Sequence, residues 1–361
     1  MPSDAITEAR RQIQICNACR YCEGYCSVFP AIQMHRNFAE GDIVQFANLC
    51  HDCRGCYHAC QYIAPHEFDI NVPRALASVR QQSWKAHAWP SCVGQLFDRS
   101  ALAFSSVMVV SLAILFWLTT AMRPASGEGF YSFMSHSLMV AIFVPSFLLP
   151  LIAVGISVRR YWKAVGGGSI RWQYIAKAVN SLARMDNLSG GHGEGCNFED
   201  GDRFSNARRW LHQATLAGFL LCFASTCSGT LLHYGFGMEA PYGFLSVPKL
   251  LGVPGGILLC IGTAGLAWLK TKADPNLGVA SAWGGEMAFI LVLFGTSATG
   301  LILFAATGEP AVQFLLPLHL GFVLTFFLMI PYSKMVHGFH RLAALLRNAE
   351  MMSEDSSLRS H

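Results

Sequence analysis

Six apolar segments, at about 101–122, 136–158, 211–232, 250–269, 287–307 and 312–332, constrain this chain more than anything else in it. Each is about 20 residues, the length an α-helix needs to cross ~30 Å of hydrocarbon at ~1.5 Å per residue. Helices buried in a soluble core are the alternative. Charged residues, however, make up only 13% of the 361 residues, against about 25% in an average soluble domain. Gly, Ser and Thr recur in these segments, which suits close helix packing in lipid. The net charge of +4 is too small to imply nucleic acid.

The Lys and Arg residues set an expected orientation. The stretch 159–210 holds nine, from Arg159 to Arg209, and the link after the fourth segment adds Lys270 and Lys272. The other side has only Arg123 and Lys249. Both termini and the long loop at 159–210 are therefore expected on the cytoplasmic side of a bacterial inner membrane. The chain begins without an apolar leader, so its N-terminal part is expected in a reducing compartment. Within the long loop, Ile175, Ala178, Val179 and Leu182 share a helical face over 170–185. This suits a helix lying on the membrane surface, or a solvated connector. The Gly-rich run 190–196 follows no strand and does not read as a dinucleotide fingerprint.

Eight of the 13 cysteines fall within residues 16–60. Cys16, Cys19, Cys22 and Cys26 form a CxxCxxCxxxC motif, and Cys50, Cys53, Cys56 and Cys60 repeat it. This is bacterial-ferredoxin spacing used twice. Three thiolates two residues apart wrap one cubane cluster, while the fourth points away and serves the other. Cys16, Cys19, Cys22 and Cys60 are thus assigned to one [4Fe–4S] cluster, and Cys50, Cys53, Cys56 and Cys26 to the second. Zinc is the competing reading, but a third cysteine at this spacing has no use in a tetrahedral site. Gly24 and Gly55 are expected to let backbone N–H groups approach sulfur. Proline does not directly follow either motif; Pro30 and Pro65 come later. The other five cysteines lack ligand spacing.

Histidines at membrane depth are functional candidates by default. His212 and His233 lie at the two ends of the third segment, ~31 Å apart along a helix, and His319 and His337 bracket the sixth, ~27 Å apart. Eighteen residues are five helical turns, so His319 and His337 should point the same way on one helix. With antiparallel helices, His212 pairs with His337 near the cytoplasmic rim, and His233 with His319 near the outer rim. Each pair could supply the axial ligands of a low-spin b-type haem, giving one or two haems. His136 is a substitute ligand, and His340 is expected at the membrane surface. No CxxCH occurs, which argues against covalent haem attachment.

The run from His319 to His337, ending Pro331-Tyr-Ser-Lys-Met-Val-His337, resembles the last haem helix of the respiratory nitrate reductase gamma subunit, over roughly residues 205–340. In that family the two histidines of the other haem helix lie closer together than His212 and His233. The doubled cluster motif resembles the heterodisulfide reductase C subunit and two-cluster ferredoxins. Together with Arg209-Trp-Leu-His212 and Pro241-Tyr-Gly-Phe-Leu-Ser-Val-Pro248, the chain resembles the citrate/tricarballylate utilisation protein B (CitB/TcuB) family along almost its whole length. The resemblance implies a protein that reoxidises a FAD-dependent tricarballylate dehydrogenase on the cytoplasmic face and passes electrons to membrane quinone. The substrate comes from the resemblance alone.

The expected fold is mainly α. A two-cluster ferredoxin-like head (1–99) precedes a six-helix cytochrome b-like membrane domain (100–340) and a cytoplasmic tail (341–361). The expected role is electron transfer with no substrate site of its own. The reverse flow, quinol oxidation feeding a heterodisulfide- or sulfur-reducing partner, is the alternative. Lys249, in the loop 237–256, is a candidate to polarise a quinone carbonyl; an internal quinone site near Arg209 and Lys334 is the other option.

Overall fold

The computed structural model describes residues 3–94, 100–122, 133–191, 193–199, 201–240 and 242–359, with side-chain surroundings through residue 354. Arg123, His192 and Pro241 therefore lie outside the described residues. The described part is helical, with two isolated bridges, Cys196 to Ser205 and Glu199 to Ala273, in place of strands.

The head is built from α1 (Asp4–Cys19), α2 (Val28–Gln33), α3 (Glu40–Leu49), α4 (Gly55–His58) and α5 (Val72–His87). The starts of α1 and α5 are capped by side chains, which satisfy unpaired N–H groups of the first turn. The Ser3 hydroxyl accepts from Ile6 N at 3.3 Å, and Asn71 Oδ1 accepts from Arg74 N at 3.1 Å. Ile13, Ile32, Ile43, Phe46, Leu49, Leu76 and Val79 are all buried in its core.

Six helices are long and apolar enough to cross a membrane. They are α6 (Ala101–Met122), α7 (His136–Ala164), α9 (Ala207–Phe236), α10 (Val247–Thr271), α11 (Trp283–Ala305) and α12 (Val312–Met329). All six match the apolar segments of the sequence, and exposed Val107, Leu149, Ile261 and Trp268 leave apolar surface facing outward. The chain is a membrane protein. The tightest pair is α9 against α10, where two glycines permit backbone contact. A Cβ on Gly218 would lie 2.5 Å from Leu259 N, and one on Gly262 would lie 2.8 Å from Leu211 O. Small residues at helix crossings are how lipid-embedded helices gain packing energy.

Two connections depart from the sequence reading. The sixth span stops at Met329, and α13 (Val336–Arg359) begins a new helix after a turn at 330–335. Pro331 explains the break: it has no N–H to donate and its ring opposes the preceding turn. His319 and His337 therefore sit on different helices. The segment expected as a tail is most of α13, and Ala343, Ala344 and Leu345 are buried in the same core as Ile43 and Phe46.

The head and the bundle consequently share one core. Tyr161 of α7 is fully buried there; its hydroxyl donates to Gln45 Oε1 at 2.5 Å, and Gln45 Nε2 donates to Ala344 O at 2.8 Å. His340, expected at the membrane surface, is instead fully buried, 3.0 Å from Ser157 Oγ and packed on Tyr161 and His87. Burial first, and the neighbouring His87 second, hold its pKa down at about 3, so it is neutral. The amphipathic segment is α8 (Trp172–Arg184). It turns Tyr174, Ala178 and Leu182 inward toward the head core and α13, while Val179 and Trp172 are exposed.

Candidate redox centres

The first cysteine motif runs from the last turn of α1, which carries Cys16 and Cys19, into the loop before α2, and the second surrounds α4. Several residues there adopt left-handed backbone: Arg20 (φ 59°), Asp52 (φ 58°) and Arg54 (φ 67°). For residues with a Cβ this conformation is uncommon and concentrates at functional loops. Here it curls the chain around the thiols.

Cys16, Cys19, Cys22 and Cys60 line a single cavity of about 200 Å³, together with Tyr21, Phe29, Cys56 and Ile70. Burial first, then mutual repulsion among Cys22, Cys60 and Cys19, pushes the Cys16 thiol up to about 12. Cys22 is pushed to about 12 by burial and by Cys60 and Cys19. Cys26 is driven to about 12 by burial and by Cys50. Cys56 is raised well above its ordinary value by burial, then by Cys53, Cys50 and Cys26. The thiols thus fall into two neighbourhoods, each mixing the motifs as the spacing suggests. Gly55 N–H bonds the Cys53 sulfur, and Asp52 N and Tyr62 N lie 3.4 Å from the sulfurs of Cys50 and Cys60. Among the described residues no three His, Cys, Asp or Glu side chains converge on a point fit for one metal ion. The thiols instead border a space, as ligands of a multi-atom group do.

The two neighbourhoods differ in exposure. Cys19 is exposed and Tyr21 is 69% exposed, whereas Cys53 is buried. The long loop 185–206 covers the second motif. Asn197 N donates to Cys53 O at 2.9 Å, and Asn187 Oδ1 accepts from Ser27 N and Oγ at 3.0 and 2.8 Å. Cys196, in this loop, is buried beside Cys53. Sequence spacing gave no sign of this cover, because its contacts span more than 140 residues.

His212 on α9 and His337 on α13 are brought together, their ring centroids 5.9 Å apart at an interplanar angle of 67°. Two imidazoles on opposite sides of one metal, with metal–N bonds of ~2.0–2.1 Å, need centroids ~6 Å apart. His337 Nδ1 faces the backbone carbonyl of Lys334, three residues earlier. That contact fixes Nδ1 as the protonated nitrogen and leaves Nε2 for a metal. The residues fit bis-histidine ligation.

The second expected pair is not formed. Among the described residues no ring contact joins His233 to His319. His233 stacks on His136 at 4.3 Å, and His319 Nδ1 lies 3.0 Å from Thr299 Oγ1, against Gly300. The C-terminal end of α9 meets the start of α7, while α12 turns His319 toward α11, so the two residues at similar depth face different neighbours. Lys249 lies with Nζ 5.2 Å from the Phe304 ring centroid. Arg209 donates to Arg184 O at 2.9 and 3.1 Å, whereas Lys334 pairs with Glu286 and lies over Trp84.

Arginines tie the second cysteine loop to the histidine pair. Arg208, one turn before His212, donates to Asp52 O at 2.6 Å. Arg341, one turn after His337, donates to Cys50 O at 2.9 Å, and Arg80 of α5 reaches the same carbonyl at 2.8 Å. Neither arginine was singled out from the sequence, although their i±4 offsets from the histidines place them on the same helix faces.

This architecture defines a membrane-embedded protein with a cysteine-rich, ferredoxin-like head fixed on its bundle. A family model described as Citrate utilization protein B matches residues 95–357, and one described as Citrate utilization protein B Fer4-like domain matches residues 9–86. The Citrate utilization protein B of Escherichia coli is 42% identical over 346 residues, covering 94% of this chain and 91% of that protein. The chain belongs to the citrate utilization protein B family. No solved structure matches it.

Proposed function

We propose that this protein carries electrons from a reduced FAD-dependent dehydrogenase on the cytoplasmic face to the membrane quinone pool, with tricarballylate as the dehydrogenase's substrate class by family resemblance. Two [4Fe–4S] clusters and b-type haem would supply, when bound, one-electron carriers that split a two-electron donor into single steps. Cys16, Cys19, Cys22 and Cys60 would hold one cluster, Cys50, Cys53, Cys56 and Cys26 the other, and His212 with His337 a haem.

The observation that carries this reading is the seam formed by Cys50 O, Arg341 and His337 on one side and Asp52 O, Arg208 and His212 on the other. It fixes the buried cysteine neighbourhood against the histidine pair by hydrogen bonds to charged donors, which are stronger than neutral ones. The other neighbourhood meets solvent at Cys19 and Tyr21, where a soluble partner can approach. Charge placement supports a head in the cytoplasm, and the family supports a bacterial inner membrane. The His136/His233 stack and His319 leave a second haem to other ligand combinations than the one expected. Lys249 and the loop after α9 stay candidates for an outer quinone site, where Lys249 would donate to a quinone carbonyl.

The test is genetic and biochemical. Loss of this protein should abolish growth on tricarballylate while leaving citrate oxidation through central metabolism intact; normal growth on tricarballylate would refute the substrate class. In membranes, reduced dehydrogenase should reduce a quinone analogue only when this chain is present.

A further inference from the structure

We infer that the cytoplasmic edge of the His212/His337 pair is built to seat two carboxylates, the propionates of a porphyrin held between those histidines. The inference rests on the haem reading above.

Cationic side chains crowd this edge, facing the carboxylates of Glu286 and Asp52 and the cysteines of the second motif. Glu286 accepts from both Lys270 and Lys334, so one carboxylate faces two amines. Asp52 is engaged by Arg54 at 3.7 Å. Arg80 and Arg341 share one neutral acceptor, the Cys50 carbonyl, and Arg80 also donates to the Ala47 carbonyl; the thiolates of a bound cluster would offset part of their charge. Arg208 donates to the Asp52 carbonyl, bonds the Cys196 sulfur and lies over the Phe198 ring, 4.0 Å to its centroid. Arg341 Nε is buried with no hydrogen-bond partner. A buried guanidinium donor without an acceptor is costly and points to a polar or anionic group that reaches it.

Position selects which anion. Arg208 and Arg341 each lie one turn from a histidine of the pair, and the Lys334 carbonyl holds His337 itself. Deeper in the bundle the surroundings change to aromatic: Phe219 and Phe326 pack with centroids 5.9 Å apart, beside Phe327, Met335 and Phe339. The residues around the pair are therefore cationic on one side and apolar on the other. A porphyrin has the same asymmetry, two carboxylates on one edge and hydrocarbon elsewhere. Guanidinium groups recognise carboxylates through paired N–H donors.

The full-length chain, produced in a haem-deficient host and held in nanodiscs, would be titrated with haem and with haem dimethyl ester. Wild type should bind haem at least ~10-fold more tightly than the ester, with a low-spin Soret band. In the variant Lys334→Gln, which leaves the Arg341–Cys50 bond in place, that preference should fall several-fold toward unity, with ester affinity kept. Equal affinities in wild type would overturn the carboxylate seat while leaving the haem reading in place, and this comparison needs no variant to fold. A failure of either compound to give a Soret band would remove the haem reading and this inference with it. Inorganic phosphate displacing haem competitively would assign the cations to a free anion and overturn the proposal.

Discussion

Arg341 donates to the carbonyl of Cys50 across 2.9 Å, joining the last helix of the chain to the second cysteine motif near its beginning. Arg80 donates to the same oxygen. The bond places the helix that carries His337 directly on the second cysteine loop, and it sets the terms for what substitutions should do.

Replacing His212 or His337 with Ala should remove the low-spin b-haem signal that this pair supports. The non-haem iron should stay near eight per chain, because the cysteine loops keep their own contacts. Pyridine-haemochrome and iron assays on the same preparation would check this. Retention of the full haem content in both variants would place the haem elsewhere.

Changing one cysteine should cost one cluster, not both. Cys22→Ser and Cys53→Ser are each expected to lower iron by about four atoms. Exposed Cys19 and buried Cys53 further predict that oxygen damages the first site sooner, measured as the order in which EPR signals disappear in air.

The unloaded protein should lose stability as pH rises. Cys16, Cys22 and Cys26 are pushed from 9.0 to about 12 in the folded chain, chiefly by burial. The folded state then binds more protons than the unfolded state between these values, so this contribution is intact below about pH 9 and is lost as pH rises toward 12. Cluster uptake needs thiolates and should release protons, strengthening with pH. Thermal melts of cluster-free protein from pH 7 to 10 would show the fall.

At the α9/α10 crossing, Gly218→Val should destabilise the bundle by about 1–3 kcal/mol or more, since the new side chain meets backbone. Loss of detergent-resistant folding in this variant, with Gly155→Ala, whose added Cβ meets nothing within 4 Å, as the control, is the expected readout; an unchanged melt would contradict the packing.

How much of this the sequence reveals depends on the range of the interaction. The six spans are legible because lipid demands long apolar runs, and the interleaved cysteine sets follow from local spacing. The His212/His337 pair meets as expected from its depth, although His337 stands on α13 and not on the sixth span whose length was counted. The His233/His319 pairing fails on helix rotation, which turns His319 to Thr299 and leaves His233 stacked on His136. Pro331 marks the break before α13 in plain view, but the continuous apolar run around it hides its effect. The burial of His340 and the bond from Tyr161 to Gln45 depend on partners more than 100 residues away, and no local pattern announces them.

The most direct test of the account is an anaerobic optical and EPR spectrum of the purified chain, with iron and haem quantified, before and after a quinone analogue is added. The account predicts about eight non-haem irons, low-spin b haem, and reoxidation of all of it by the quinone. Zinc in place of iron, or iron–sulfur clusters with no haem, would contradict it.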